Sequence, residues 1–201
     1  MRKPREAEDE LKIGASLTPG PWEQHSRSVA ENARLIARRV PWLNPDRAYV
    51  AGLMHDIGRR FGIKGILHIF DGYEYMLTLG DEDIARICLT HSFPLKDVDT
   101  FLGVYDCTPE QKAFLSDYLQ NTEYDDYDLL IQLCDAISLP GGACIMEKRL
   151  VEVALRHGLP SFTLDKWKAF MNVKRHFDEL CQCNIYSLLP NVLENSSVNL
   201  L

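Results

Sequence analysis

Four histidines and two aspartates occupy positions where a helix would face inward. From Trp22 to Val40 the residues Trp22, His25, Val29, Ala33, Ile36 and Val40 step by three or four, which places His25 on the buried stripe. The string Ala51-Gly52-Leu53-Met54-His55-Asp56-Ile57-Gly58 sets a histidine and a carboxylate side by side within an apolar stretch. Further on, His68 steps with Gly72, Tyr75 and Leu79, and His91 with Ile84, Ile87 and Cys88. The run Leu129–Leu139 is apolar except for Gln132, Asp135 and Ser138, which form one polar ridge at i, i+3, i+6.

Burying a carboxylate costs several kcal/mol unless it is paired or bound to a metal. Two buried aspartates and four inward histidines therefore share a need for a partner. One or two divalent cations meet it, and a mixed nitrogen and oxygen donor set suits iron, manganese, cobalt, nickel or zinc. Neighbouring side chains on a helix diverge by about 100°, so His55 and Asp56 would reach different sides of one centre, or Asp56 would bridge two ions. A single core histidine is more often hydrogen-bonded filler than a ligand. Here the combination carries the argument, because the four lie on separate helices and are joined by two embedded aspartates. His157 lies in a last helical turn, where a cation suits the dipole. His176 lies off the Trp167, Phe170, Phe177, Cys181 stripe and reads as exposed.

The elements that must position these groups read as helices throughout, so the fold class is all-α, with eight or nine helices and no competing strand. Pro19-Gly20-Pro21, Pro41 to Pro45, Gly62 to Gly65, Gly80-Asp81, Pro94, Thr108-Pro109 and Pro140-Gly141-Gly142 punctuate them. The second helix is expected to run from Pro45 to about Arg60. Residues 1–18 read as a flexible N-terminal arm, 19–185 as the helical core, and 186–201 as a tail with a frayed Asn195-Ser196-Ser197 end. The 201 residues suffice for one well-buried domain. A net charge of −7 disfavours sequence-blind binding of a nucleic-acid polymer. No apolar run approaches the roughly 18 residues of a membrane span, and the charged start Met1-Arg2-Lys3-Pro4-Arg5 lacks the apolar stretch of a secretory signal. A cytoplasmic chain without membrane association is expected. In that reducing setting the six cysteines are read as unpaired. The oligomeric state is not legible.

The strings His25-Ser26-Arg27-Ser28-Val29-Ala30, Leu53-Met54-His55-Asp56-Ile57-Gly58-Arg59 and Leu133-Cys134-Asp135 resemble the HD-domain superfamily of metal-dependent phosphohydrolases over roughly residues 22–139. His68-Ile69-Phe70-Asp71-Gly72 and Leu89-Thr90-His91 are similar to the two further histidine segments of its binuclear branch, including the bacterial enzymes that split dinucleoside tetraphosphates symmetrically. The resemblance implies His25, His55, Asp56 and Asp135 on one metal, with His68 and His91 on a second and Asp56 bridging. Where the family often has Lys after the pair, this chain has Arg59, which keeps the charge and adds a planar fork for phosphate. No Gly-Tyr-Pro follows, which argues against the cyclic-dinucleotide branch.

The implied chemistry is hydrolysis of a small phosphorylated substrate, a nucleotide or related phosphoester, by water activated on the metals. Asp56, Arg59 and Lys64 are the expected catalytic residues, with Arg60 a weaker third cation. Arg59, Lys64, Gln132 and Ser138 are expected to contact substrate. Tyr73, Tyr75 and Phe93 could stack a base, although aromatics at helical spacing are more often core, and Lys148 and Arg149 read as helix surface more than pocket border. Two rival readings keep the site: a di-iron oxygenase built on the same ligands, and a non-catalytic nucleotide-binding module. A helical scaffold around a structural metal ranks last, because structural sites are usually closed and sulfur-rich.

Overall fold

In a computed structural model, residues 2–197 are described and form a helical assembly. Among them the α-helices are α1 (Pro4–Leu17), α2 (Trp22–Ala37), α3 (Pro45–Met54), α4 (Leu67–Thr78), α5 (Glu82–Thr90), α6 (Pro109–Asn121), α7 (Asp126–Ala136), α8 (Met146–His157), α9 (Thr163–Cys181) and α10 (Val192–Ser196). Short 3-10 turns cover Ile57–Phe61, Val98–Thr100 and Ile185–Leu188. The all-α expectation holds. The one sheet among the described residues is a hairpin of two-residue strands, β1 (Ser138–Leu139) antiparallel to β2 (Gly142–Ala143), with Ser138 opposite Ala143. No helix among the described residues is long and apolar enough to cross a membrane, and the six cysteines are free thiols.

Local chemistry sets the helix starts. Asn44 accepts hydrogen bonds from the Asp46 and Arg47 N–H groups, with Pro45 at the first helical position. Thr108 with Gln111 and Asp125 with Asp128 form reciprocal capping boxes. The main core joins α2, α3 and α7 through Val29, Ile36, Leu53, Met54, Ile131 and Leu133, and α9 closes it with Phe177. A second cluster, including Ile66, Ile69, Leu89, Phe93, Leu115 and Leu119, lies among α4, α5 and α6.

Three expectations are corrected. Residues 4–17 are not a flexible arm: α1 packs on α3 and on the Ile57–Phe61 turn, with Ala7 and Leu11 fully buried. The charges of Glu6 to Glu10 conceal an apolar stripe at Ala7, Leu11, Gly14 and Ala15. Two ion pairs hold the segment down, Arg2 to Asp81 at 2.9 Å and Glu10 to Arg60 at 3.0 Å. Nor does the tail fray at Asn195 and Ser196. Asn195 donates to the Ala143 carbonyl at 2.9 Å, and Ser196 Oγ accepts from the Ile145 N–H at 2.9 Å. The end of the expected tail, residues 198–201, lies outside the described residues.

The third correction concerns the His-Asp pair. Helix α3 stops at Met54, so His55 and Asp56 sit on the turn that leaves it rather than within a helix reaching Arg60. The reason is close packing around two glycines. A Cβ on Gly52 would lie 2.4 Å from the Ala30 Cα, and one on Gly58 would lie 1.9 Å from the His68 carbonyl oxygen. The chain thus touches α2 just before the pair and the first turn of α4 just after it.

Candidate metal centre

Each candidate ligand lies at or near the end of an element. His25 is in the first turn of α2, His55 and Asp56 follow α3, His68 is in the first turn of α4, His91 follows α5, and Asp135 is in the last turn of α7. The side chains assemble into two trios whose ligand atoms lie within 4.8 Å of one another: His25, His55 and Asp135, then Asp56, His68 and His91. The imidazoles run as a chain, with ring centroids 5.5 Å apart from His25 to His55, 5.1 Å from His55 to His91, and 5.9 Å from His91 to His68. Asp56 lies between the trios, 3.9 Å from the His55 Nε2 through Oδ2 and 3.1 Å from the His68 Nε2 through Oδ1.

Backbone carbonyls orient three of these rings. His55 Nδ1 donates to the Gly52 carbonyl at 2.7 Å, His68 Nδ1 to that of Gly65, and His91 Nδ1 to that of Cys88 at 3.0 Å. A carbonyl only accepts, so Nδ1 carries the proton and each Nε2 points a lone pair at the centre. His68 Nε2 lies 3.1 Å from Asp56 Oδ1 and 3.4 Å from the Arg59 guanidinium. His55 Nε2 and Asp56 Oδ1 are both buried and lack hydrogen-bond partners. Buried acceptors that converge without partners are well placed to hold a cation. The residues present therefore fit divalent metal ions.

The electrostatics agree. Burial alone would raise the Asp56 carboxyl, yet the Arg59 guanidinium 2.6 Å away holds it well below the usual carboxylate range. Asp135, also buried, is pulled below that range chiefly by its 2.8 Å hydrogen bond with His25 Nε2. Burial pushes His55 down and brings His91 down to about 4, so both are neutral donors at pH 7. Arg59 donates to Asp56 Oδ2 at 2.6 Å through Nε and lies on the cleft wall.

Other expected substrate contacts fall elsewhere. Lys64 is paired with Asp71 at 2.6 Å and lines an adjoining groove of about 890 Å³ rather than the central cleft. Gln132 and Ser138 are fully buried and do not line the cleft. Gln132 donates to the Thr90 carbonyl at 3.0 Å, steadying the turn that carries His91, while Ser138 accepts from Asn32 at 2.9 Å. The polar ridge breaks because α7 ends at Ala136 and Ser138 belongs to β1. Arg60 faces Glu10 and stacks on Tyr75, away from the cleft. Phe93 is core, and Tyr73 packs on Phe114 and Tyr118.

The central cleft encloses about 600 Å³ and opens onto His25, Asp56, His68, His91 and Asp135. Its far wall comes from α8 and α9. Arg149, read from sequence as helix surface, borders it, and so do Arg156, His157 and Lys166, which sequence reasoning did not select. Lys166 had a signal: it stands four residues before Phe170 on the Phe170, Val173, Phe177, Cys181 stripe, as His25 stands on its own.

No match to this chain was found among curated proteins or among solved structures. The HD domain family model matches residues 22–139, well over half of the 201, and this range contains all six candidate ligands. With that match and this donor set, the chain belongs to the HD domain family.

Proposed function

We propose that this protein is a metal-dependent phosphohydrolase acting on a nucleotide or related phosphoester. HD domains as a family bind divalent metals and are generally metal-dependent hydrolases, and the buried cluster here is compatible with such binding. The finer reading is a two-metal centre of iron, manganese, cobalt, nickel or zinc, with the His25, His55, Asp135 trio and the Asp56, His68, His91 trio as separate ligand sets and Asp56 between them. A dinucleoside tetraphosphate cleaved symmetrically is the first substrate to test.

The observation that carries the proposal is the meeting of both trios at the foot of an open cleft with a basic lining. Four basic side chains (Arg59, Arg149, Arg156, Lys166) face it against three carboxylates (Asp56, Asp135, Glu152). Two of those carboxylates are candidate ligands, so ion binding leaves the cleft strongly cationic. A cationic cleft favours phosphate over an uncharged C–H substrate, which places hydrolysis ahead of oxygen chemistry. Bound divalent ions would supply a water acidified to near-neutral pKa and a Lewis-acid contact to phosphate. The chain's own groups do the rest. The carbonyl-bonded rings hold their lone pairs fixed, Asp56 spans the trios, and Arg59 stands ready to neutralise charge on the equatorial oxygens.

The test is release of inorganic phosphate or nucleotide from a panel of mono-, di- and polyphosphate nucleotides, dinucleoside tetraphosphates included, with Mn²⁺, Co²⁺ or Fe²⁺. The wild type should turn over at least one class and Asp56→Ala none. Equal silence of the two across the panel would defeat the enzymatic reading. Oxygen uptake by an anaerobically iron-loaded sample would favour the oxygenase.

A further inference from the structure

Lys166 has no place in the metal centre, yet the fold buries it. Its side chain is 7% exposed, it lines the central cleft, and it lies on α9, outside the segment matched by the HD domain. Its Nζ donates to the Ser92 carbonyl at 3.0 Å and to the Thr100 carbonyl at 2.9 Å. Those contacts tie α9 to the turn after His91 and to the 3-10 turn at Val98–Thr100. They use two of the three N–H donors of an ammonium group.

Carbonyl dipoles stabilise a buried cation without neutralising it. The carboxylate that acts on it is Asp135, which is already engaged by His25. An apolar side chain of similar length would fill the same space without the desolvation cost. A lysine here, clamped by two carbonyls and lining a cleft that already collects cations, is arranged as an anion receptor. Burial lowers its pKa to about 8, which leaves most of it charged at neutral pH.

We propose that Lys166 binds an oxyanion of the substrate, a phosphate group by preference, with its third N–H donor, so that the α9 wall supplies a phosphate subsite beyond the HD core. The assignment deepens the phosphohydrolase reading and rests on it for the identity of the ligand. The contact to an oxyanion itself requires no turnover.

Sulfate is a suitable probe, because it copies phosphate geometry and does not titrate near neutrality. Its binding to the full chain as purified is measured by calorimetry and by the rise in melting temperature it causes. Two variants separate charge from clamp. Lys166→Met removes both, whereas Lys166→Gln removes the charge but keeps two N–H donors for the Ser92 and Thr100 carbonyls. Loss of one charge-assisted hydrogen bond predicts sulfate affinity about tenfold or more weaker in both variants, with the sulfate-induced rise in melting temperature largely lost. A lysine with only a structural role would lower the basal melting temperature and leave sulfate affinity at the wild-type value, which would overturn the assignment. Should both variants fail to fold, a selenate soak of wild-type crystals decides: density beside Lys166 Nζ supports the subsite, and its absence there rejects it. If sulfate binding depends on Lys166 while no phosphoester is hydrolysed, the hydrolase reading fails and the subsite stands. The converse result removes the subsite alone.

Discussion

At the scale of single residues, the site is built from acceptors that need a cation. Asp56 is central because it is the side chain between the trios. Asp56→Ala should reduce metal affinity and metal-dependent turnover by more than the roughly 10–100-fold that follows loss of an outer hydrogen-bond partner; elemental analysis beside activity checks this. The neutral histidines also predict a pH dependence for the metal-free chain. His91 is brought down to about 4 by burial, against an ordinary value of 6.5. Between those values the unfolded chain takes up a proton that the folded chain refuses, so stability falls as pH drops from about 6.5 toward 4. At pH 5 the loss from His91 alone is about 2 kcal/mol. His55, shifted the same way, adds to it. Urea midpoints at pH 7 and pH 5 measure the effect, and equal midpoints would contradict the buried neutral rings.

At the scale of elements, ligand geometry depends on how helix ends are pinned. Gly58 lets the turn after Asp56 approach the first turn of α4, where His68 sits. Gly58→Ala would drive a Cβ into the His68 carbonyl and the Gly72 N–H. Both are backbone, so relief requires moving α4, and a loss of several kcal/mol with loss of metal binding is expected in melts and metal titrations. The Asp106 carboxylate accepts from the Gly65 N–H at 2.7 Å and the Leu67 N–H at 2.8 Å, capping the start of α4. Asp106→Ala should cost about 1 kcal/mol as a lost cap. In a metal titration it should weaken the trio containing His68 more than the one containing His25.

The same elements show what sequence made legible. The inward histidines, Asp56 and Asp135 were visible because a charged residue within a periodic or continuous apolar stretch is buried and demands a partner. Gln132 and Ser138 were misplaced because stripe position says that a side chain points inward without saying toward which neighbour, and Lys64, chosen for its place in the loop after the pair, is taken up by Asp71. Gln132 found the Thr90 carbonyl, and Ser138 left the helix with the hairpin. The end of α3 at Met54 was hidden as well, since it depends on the tertiary contacts of Gly52 and Gly58 rather than on any local stop signal.

At the scale of the whole molecule, the core is extended from both ends of the chain. Helix α1 buries Ala7 and Leu11 against α3 and the turn that follows the His-Asp pair, so residues whose charges suggest an arm support the centre from behind. Leu11→Ala should cost about 2–5 kcal/mol, as for a fully buried leucine; a melting curve within about 0.5 kcal/mol of wild type, the range of a surface change, would restore the arm. At the other end, α8 and α9 close the cleft with a basic wall. That wall escaped the sequence reading because no local pattern reveals that Arg156 and His157 face a ligand site 100 residues from the His-Asp pair. The most direct measurement of the whole account is the number of metal ions held by the chelator-treated chain after equilibrium dialysis with Mn²⁺ under anaerobic conditions. Two per chain are predicted for wild type and one for His68→Ala. Uptake of one ion or fewer by wild type, or uptake that His55→Ala and Asp56→Ala leave unchanged, would contradict the two-trio centre.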